Sequence, residues 1–483
     1  MTRVKLLVKS IQTEKFPDHV MSNIFLRRNL DVFCSPHFVE HITQALIYSV
    51  GIRSSNVLLT SDGRHRSTEV MERAARVLSG NAVRRILVES RSSVSAATCL
   101  IRERRCHFAL FFAGGHHGPK DFLGLKVISS SGIPMREEIL RKANQLSRIL
   151  ESYQCCEDLC IDFGVEKSTE YWVSERPLTV EGVDSTPLYV EITSKMFDFS
   201  FLKEQLQGAR KKIIIDCSNG VTCPLVTEVF VHRLGISQKR ILNETPLEDF
   251  GGSPTDPNSV TCKSFLDLHN SKNCDFGAVI SPDGSRCLIA GKDGLTVSGS
   301  DSLAIIADQS RCIPFFQENP LKMVISSVCT SKALDEVAKY SSLLCFRVLP
   351  GWNSFASAML PPPNTSSLFG EECSAVGVSS YTLDFQKMTP TSLDSFMAYF
   401  RETYSLRFEK IKRGKFGDFR YLDPFGLDPS LQTKEAQRSR LPIVFNVHNY
   451  VYPYGFIRKS ILRNDTHQVN SNFMYNSNNT EKL

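Results

Sequence analysis

Two adjacent imidazoles, His116 and His117, follow the apolar run "HFALFFAGG" (residues 107–115). A strand that breaks into a glycine-rich polar loop is where α/β enzymes place their chemistry. Covalent group transfer requires a nucleophilic oxygen, sulfur or nitrogen. From Ala113 to Lys120 the loop has no Ser, Thr, Cys, Asp or Glu, and no Ser or Thr lies between Thr98 and Ser129. The ring nitrogens of His116 and His117 are therefore its candidate nucleophiles. The plainer reading is a solvated or anion-binding loop.

The elements that must position this loop repeat along the chain. A short apolar run, a Gly/Asp/Ser loop and an amphipathic stretch recur in "NVLLTSDGRHRSTEVMERAARVL" (56–78), "KKIIIDCSNG" (211–220), "DFGAVISPDGSR" (275–286) and "KMVISSVCTSKALDEVAKY" (322–340). β-rich runs alternating with helical runs imply α/β layers with mixed or parallel sheets. Residues 176–187 and 292–302 read as linkers. The Asn/Ser-rich end, residues 463–483, reads as a disordered tail.

With 483 residues the chain is too long for one core. A hydrophobic share of 42% and a charged share of 22% fit a globular protein. The net charge of +6 is spread along the chain without a Lys/Arg run, which argues against nucleic acid as a partner. Fifteen scattered cysteines suggest a reducing compartment, and Cys155, Cys156 and Cys160 lack the second ligand pair of a zinc site. No stretch approaches the roughly 18 apolar residues of a membrane span, and the N-terminal apolar run is too short for a signal-peptide core. The expected location is cytoplasmic.

Five motifs occur in order: "PLEDFGGSPTDPN" (246–258), "DFGAVISPDGSRCLIAGKDGLTVSGSDSLAIIA" (275–307), "SKALDEVA" (331–338), "PGWNSF" (350–355) and "FGEECSAVG" (369–377). Together they resemble the α-D-phosphohexomutase superfamily, phosphoglucomutase branch. The resemblance covers about residues 1–445. It implies three α/β mixed-sheet domains (1–187, 188–300 and 301–412) and a shortened α+β fourth domain (413–462) around a central cleft. It also implies an intramolecular phosphotransferase of carbohydrate metabolism that interconverts glucose 1-phosphate and glucose 6-phosphate. The family's phosphoserine works with Mg²⁺ and glucose 1,6-bisphosphate.

Residue by residue, the resemblance marks losses. The family's Thr-Ala-Ser-His-Asn-Pro falls on residues 113–118, which puts Gly115 at the serine and His116 at the histidine. An alignment from the downstream "GLK" puts Ala113 at the serine instead. Both lack a hydroxyl. Three metal-binding aspartates become Ser281, Asp283 and Ser285, a weak set for a cation that demands six well-placed oxygens; Asp283 as a loop cap is the bland alternative. Arg286 is retained. The sugar-reading carboxylates Glu371 and Glu372 are retained, with Cys373 for serine and Asn353 for a lysine. Arg27 survives, whereas the phosphate clamp expected after "RLPIVF" (440–445) is missing.

Losing a phosphoserine of about −2, a Mg²⁺ and two aspartates makes the cleft more positive by about +2. Arg27, Arg64, Arg286, His116 and His117 are the expected members of a metal-free site for a phosphosugar or other anion. The leading reading is a family member without mutase turnover and without a resident Mg²⁺, acting as a binding or scaffold protein. Inactive relatives imply a protein partner at adhesion or cytoskeletal sites. The alternatives are a weak phosphotransferase using His116 or His117, and a non-functional gene product.

Overall fold

The structure is a computed structural model. It describes residues 4–16, 19, 21, 26–51, 54–164, 166–208, 211–297, 299–330, 332–350, 354–355, 358, 366–370, 377–380 and 388–390. Glu371, Glu372, Cys373, Asn353, the segment 440–445, the fourth domain and the tail lie outside the described residues.

One four-strand pattern is built three times. In the first sheet Ser55–Ser61 lies between Val83–Glu89 and Phe108–Phe112, parallel to both, and Phe122–Ser129 returns antiparallel to Phe108–Phe112. In the second, Ile213–Asp216 lies parallel between Ile241–Leu242 and Phe276–Ile280, and Cys287–Gly291 returns antiparallel. In the third, Leu321–Ser327 lies parallel between Leu344–Val348 and Ser366–Gly370, and Gly377–Ser380 returns antiparallel. All three sheets are mixed. The link between the third and fourth strands of this pattern is residues 113–121, 281–286 and 371–376 respectively. The three loops singled out in the sequence thus hold equivalent chain positions.

The apolar runs explain the layering. Every residue of Phe108–Phe112 and of Phe276–Ile280 is buried, so both faces of these sheets are covered, as parallel pairing demands. Alternation decides which face each residue serves. Phe108, Leu110 and Phe112 join Val57, Leu59 and Val88 in one core, while Ala109, Phe111 and Ala113 join Leu58 and Leu87 in another. The helix Ser67–Gly80 supplies Val70, Met71, Ala74, Val77 and Leu78 to the first core.

Two expected linkers are structured. Arg176–Gly182 is a strand of the first sheet, pairing with both Ser168–Val173 and Val83–Glu89. Pro177 is tolerated because pairing with Val83–Glu89 begins only at Thr179. Thr296–Val297 is likewise a strand of the second sheet, and Gly299–Asp308 is a helix. Glu89 ties the first sheet to the chain that follows it. It is buried, and its Oε1 accepts from the backbone N–H and hydroxyl of Ser185 at 2.8 and 2.6 Å. Burial pushes this carboxyl up to about 7. Every described cysteine is a free thiol, and among the described residues no helix is long and apolar enough to cross a membrane.

Away from the loops, His19 and His41 are buried beside Ser147. His19 Nδ1 lies 2.7 Å from Ser147 Oγ, and His41 Nε2 lies 2.7 Å from the Ser147 carbonyl. Phe16 stacks on the His19 ring. Burial, then the neighbouring His41, holds His19 down at about 3, and burial also lowers His41. An unfolded histidine takes up a proton near its ordinary 6.5. Stability is therefore full above that value and falls as pH drops from 6.5 towards 3, by about 1.4 kcal/mol per pH unit for His19 alone. Urea unfolding of wild type and His19→Leu across this window checks it: the variant should show the shallower slope, and equal slopes would contradict the assignment.

Candidate functional site

The 113–121 loop is held from beneath by one buried ion pair. Asp62 and Arg64 follow the strand Ser55–Ser61, and both side chains are wholly buried. Arg64 Nε donates to Asp62 Oδ1 and Oδ2 at 3.0 and 2.9 Å, and Nη2 approaches Oδ2 at 2.8 Å. Nη2 also donates to the Gly115 carbonyl at 2.9 Å, and Nη1 donates to the carbonyls of His117 and Phe122 at 3.2 and 2.9 Å. A guanidinium has five N–H groups; four of them make hydrogen bonds here, and Nη2 also faces Asp62 Oδ2 in the ion pair. Arg64 thus acts as a loop clamp in this structure, and the phosphosugar contact expected of it would have to compete with Asp62 and the loop carbonyls. The fit explains Gly114: a Cβ there would lie 1.7 Å from Arg64 Nη1. The Gly114 N–H closes the unit by donating to Asp62 Oδ2 at 3.2 Å.

The other expected anion ligands meet on the far side of the loop. Arg27, half-buried on Leu26–Asn29, places Nη1 3.0 and 2.9 Å from the two ring nitrogens of His117. Arg286 places Nη2 3.2 Å from His116 Nδ1 and donates through Nη1 to Asp256. The two imidazoles are 4.5 Å apart, centroid to centroid. Burial, then repulsion from Arg64 and Arg286, lowers the Arg27 guanidinium to about 10, so it stays charged at neutral pH. Gly115 turns the chain at φ +60, while Ala113 extends the strand by donating its N–H to Gly124 and is wholly buried.

A segment before the second loop straps this arrangement together. Thr255 Oγ1 donates to the His116 carbonyl at 2.6 Å, Lys120 lies 3.6 Å from Asp249, and His65 lies 3.4 Å from Glu248. Phe250 is buried with its ring centroid 5.7 Å from Arg64 Cζ, a cation–π contact.

In the second loop, Asp283 is buried and its Oδ1 takes three hydrogen bonds, from the hydroxyls of Ser281 and Ser285 at 2.8 Å each and from the Ser285 N–H at 3.1 Å. Ser281 Oγ also accepts the Arg286 N–H at 2.9 Å. Burial alone would raise the Asp283 carboxyl. The charge of Lys126 and these hydrogen bonds outweigh it and hold the group below the ordinary aspartate value. Lys126, on Phe122–Ser129, is itself lowered, first by burial; Asp283 and Asp62 oppose that shift, and Arg27 and Arg64 reinforce it. This donor set does not fit Mg²⁺. It offers one carboxylate, already hydrogen-bonded, and two hydroxyls that donate into that carboxylate. Among the described residues no group of three His, Cys, Asp or Glu side chains is placed to hold a metal ion.

Residues 26–153 match the family Phosphoglucomutase/phosphomannomutase, alpha/beta/alpha domain I, and residues 187–294 match domain II. Phosphoglucomutase-1 of Macaca fascicularis is 33% identical over 381 residues, 77% of this chain and 67% of that protein. The chain belongs to the phosphoglucomutase branch of the α-D-phosphohexomutase superfamily. Phosphoglucomutase-like protein 5 of Mus musculus is 31% identical over 351 residues, 71% of this chain and 62% of that protein. The fold is shared with the open form of the exocytosis-sensitive phosphoprotein pp63/parafusin from Paramecium, at a TM-score of 0.76 and 22% identity, over 86% of this chain and 74% of that one.

Three site residues escaped the sequence reading. Asp62 was hidden because one residue separates it from Arg64, a spacing that also suits an ordinary turn. Lys126 left a signal, a lone cation inside the apolar run "FLGLKVIS" (122–129). Thr255 left none beyond its place in a quoted motif. Removing one partner of a buried ion pair strands the other charge. Asp62→Asn should therefore destabilise the protein by about 3 kcal/mol or more in urea unfolding; a loss under about 1 kcal/mol would show that the clamp does not hold the loop.

Proposed function

We propose that this phosphoglucomutase-family protein has lost mutase turnover and keeps its site as a binding surface for a phosphosugar or related small oxyanion, acting as a binding or scaffold protein in the cytoplasm. Gly115 carries the reading. A phosphoserine cycle needs an attacking oxygen on this loop, and neither Gly115 nor Ala113 has one. The cations around the loop remain: Arg27 and Arg286 each contact one of its histidines. Those contacts suit an oxyanion, because guanidinium and imidazole donors both pair with phosphate oxygens. A protein partner of the kind engaged by inactive relatives, at adhesion or cytoskeletal sites, is part of the same proposal.

One observation favours a second reading. His116 and His117 each face a guanidinium, a setting in which an imidazole could accept a phosphoryl group and have its charge neutralised. A coupled assay for glucose 6-phosphate from glucose 1-phosphate, with Mg²⁺ and glucose 1,6-bisphosphate, separates the two. Wild type should stay at background. Gly115→Ser should also stay there, because a serine at φ +60 is strained by about 1–2 kcal/mol and the neighbouring loop lacks two carboxylates. Turnover abolished by His116→Ala with His117→Ala would establish the second reading. Turnover that survives both changes would refute both.

A further inference from the structure

We propose that the site takes small oxyanions without a divalent cation, the 281–286 loop being closed on Asp283 and the Arg27 and Arg286 guanidiniums supplying the positive charge at the histidines. This rests on the retained anion site proposed above and adds how that site is charged.

Three features carry it. First, the loop's oxygens are committed. Asp283 Oδ1 receives three donors, each serine hydroxyl spends its proton on that oxygen, and Ser281 Oγ also takes the Arg286 N–H. Among the loop's buried side-chain oxygens Asp283 Oδ2 accepts no hydrogen bond, and one carboxylate flanked by two neutral hydroxyls turned towards it is a weak anchor for Mg²⁺. Second, the loop is pinned against rearrangement. The Pro282 carbonyl accepts the Val221 N–H at 2.8 Å, and Gly220 packs so tightly there that a Cβ would lie 2.2 Å from that oxygen. Third, the local charges already favour an anion. Leaving aside the exposed groups at the rim, the buried and half-buried charges at the two loops are four cations, Arg27, Arg64, Lys126 and Arg286, against three carboxylates, Asp62, Asp256 and Asp283. With both imidazoles neutral these groups leave one net positive charge. A divalent ion would add to this positive charge, whereas a phosphate dianion would meet complementary charge.

The test uses the full chain and inorganic phosphate, with glucose 6-phosphate as a second probe, titrated calorimetrically in EDTA and in millimolar Mg²⁺. Phosphate affinity should agree within about twofold in the two buffers, and Mg²⁺ alone should leave the melting temperature unchanged. Arg27→Met should weaken phosphate about tenfold in both buffers. Ser281→Asp with Ser285→Asp should make the melting temperature rise with Mg²⁺, which shows that a real metal site would be seen. Phosphate binding that appears only with Mg²⁺, or a wild-type melting temperature that rises saturably with Mg²⁺, overturns the inference. Absence of binding by either probe in both buffers overturns the anion site itself. That failure is distinct, because failure of metal independence alone leaves binding recoverable on adding Mg²⁺.

Discussion

Everything at the site depends on the buried contact between Asp62 and Arg64. An isolated charge in a protein interior is costly, and a buried pair is tolerated only when its remaining donors and acceptors are satisfied. Here the satisfaction comes from the loop itself: the carbonyls of Gly115, His117 and Phe122 complete the guanidinium, and the Gly114 N–H completes the carboxylate. The loop therefore cannot leave without orphaning the pair. This constraint explains how a loop without an attacking hydroxyl keeps a defined shape, and why Gly114 admits no side chain.

The threefold repeat gives the loops a common address. Each sheet places its third-to-fourth-strand link at an equivalent chain position, and two of these links come together. Thr255 and Arg286, from the second unit, both reach His116 in the first. The sheets are insensitive to what the links carry, because their stability lies in cores such as Phe108, Leu110 and Phe112 against Val57 and Leu59. Hydroxyls and carboxylates can be lost from the links while the layers stand. The histidines and arginines that remain brace one another across the two units.

The sequence made the strands beside the loops readable because their apolar runs are long and bounded by turn residues; 107–115 and 275–286 fall on strand and link as their patterns predict. It failed at Arg176–Gly182 and Thr296–Val297, where Pro, Gly, Asp and Ser mimic a linker and pairing partners distant in the chain decide the outcome. The site was legible in part. The family's residue order pointed to Arg27, His116, Asp283 and Arg286, and residue order cannot reveal which face of a loop a side chain occupies. Arg64 shows this most clearly. From residue order it reads as a ligand, whereas in the fold its guanidinium is turned onto Asp62 and three loop carbonyls. Lys126 was the reverse case, a charged residue inside an apolar strand, which the fold leaves half-buried.

Under the proposed function, no residue of this loop carries a phosphoryl group through a catalytic cycle. Intact mass of the purified full chain, before and after incubation with glucose 1,6-bisphosphate and Mg²⁺, tests it directly. The account predicts a single unmodified mass in both samples. A phosphorylated species that forms on incubation and maps to residues 113–121 would contradict it.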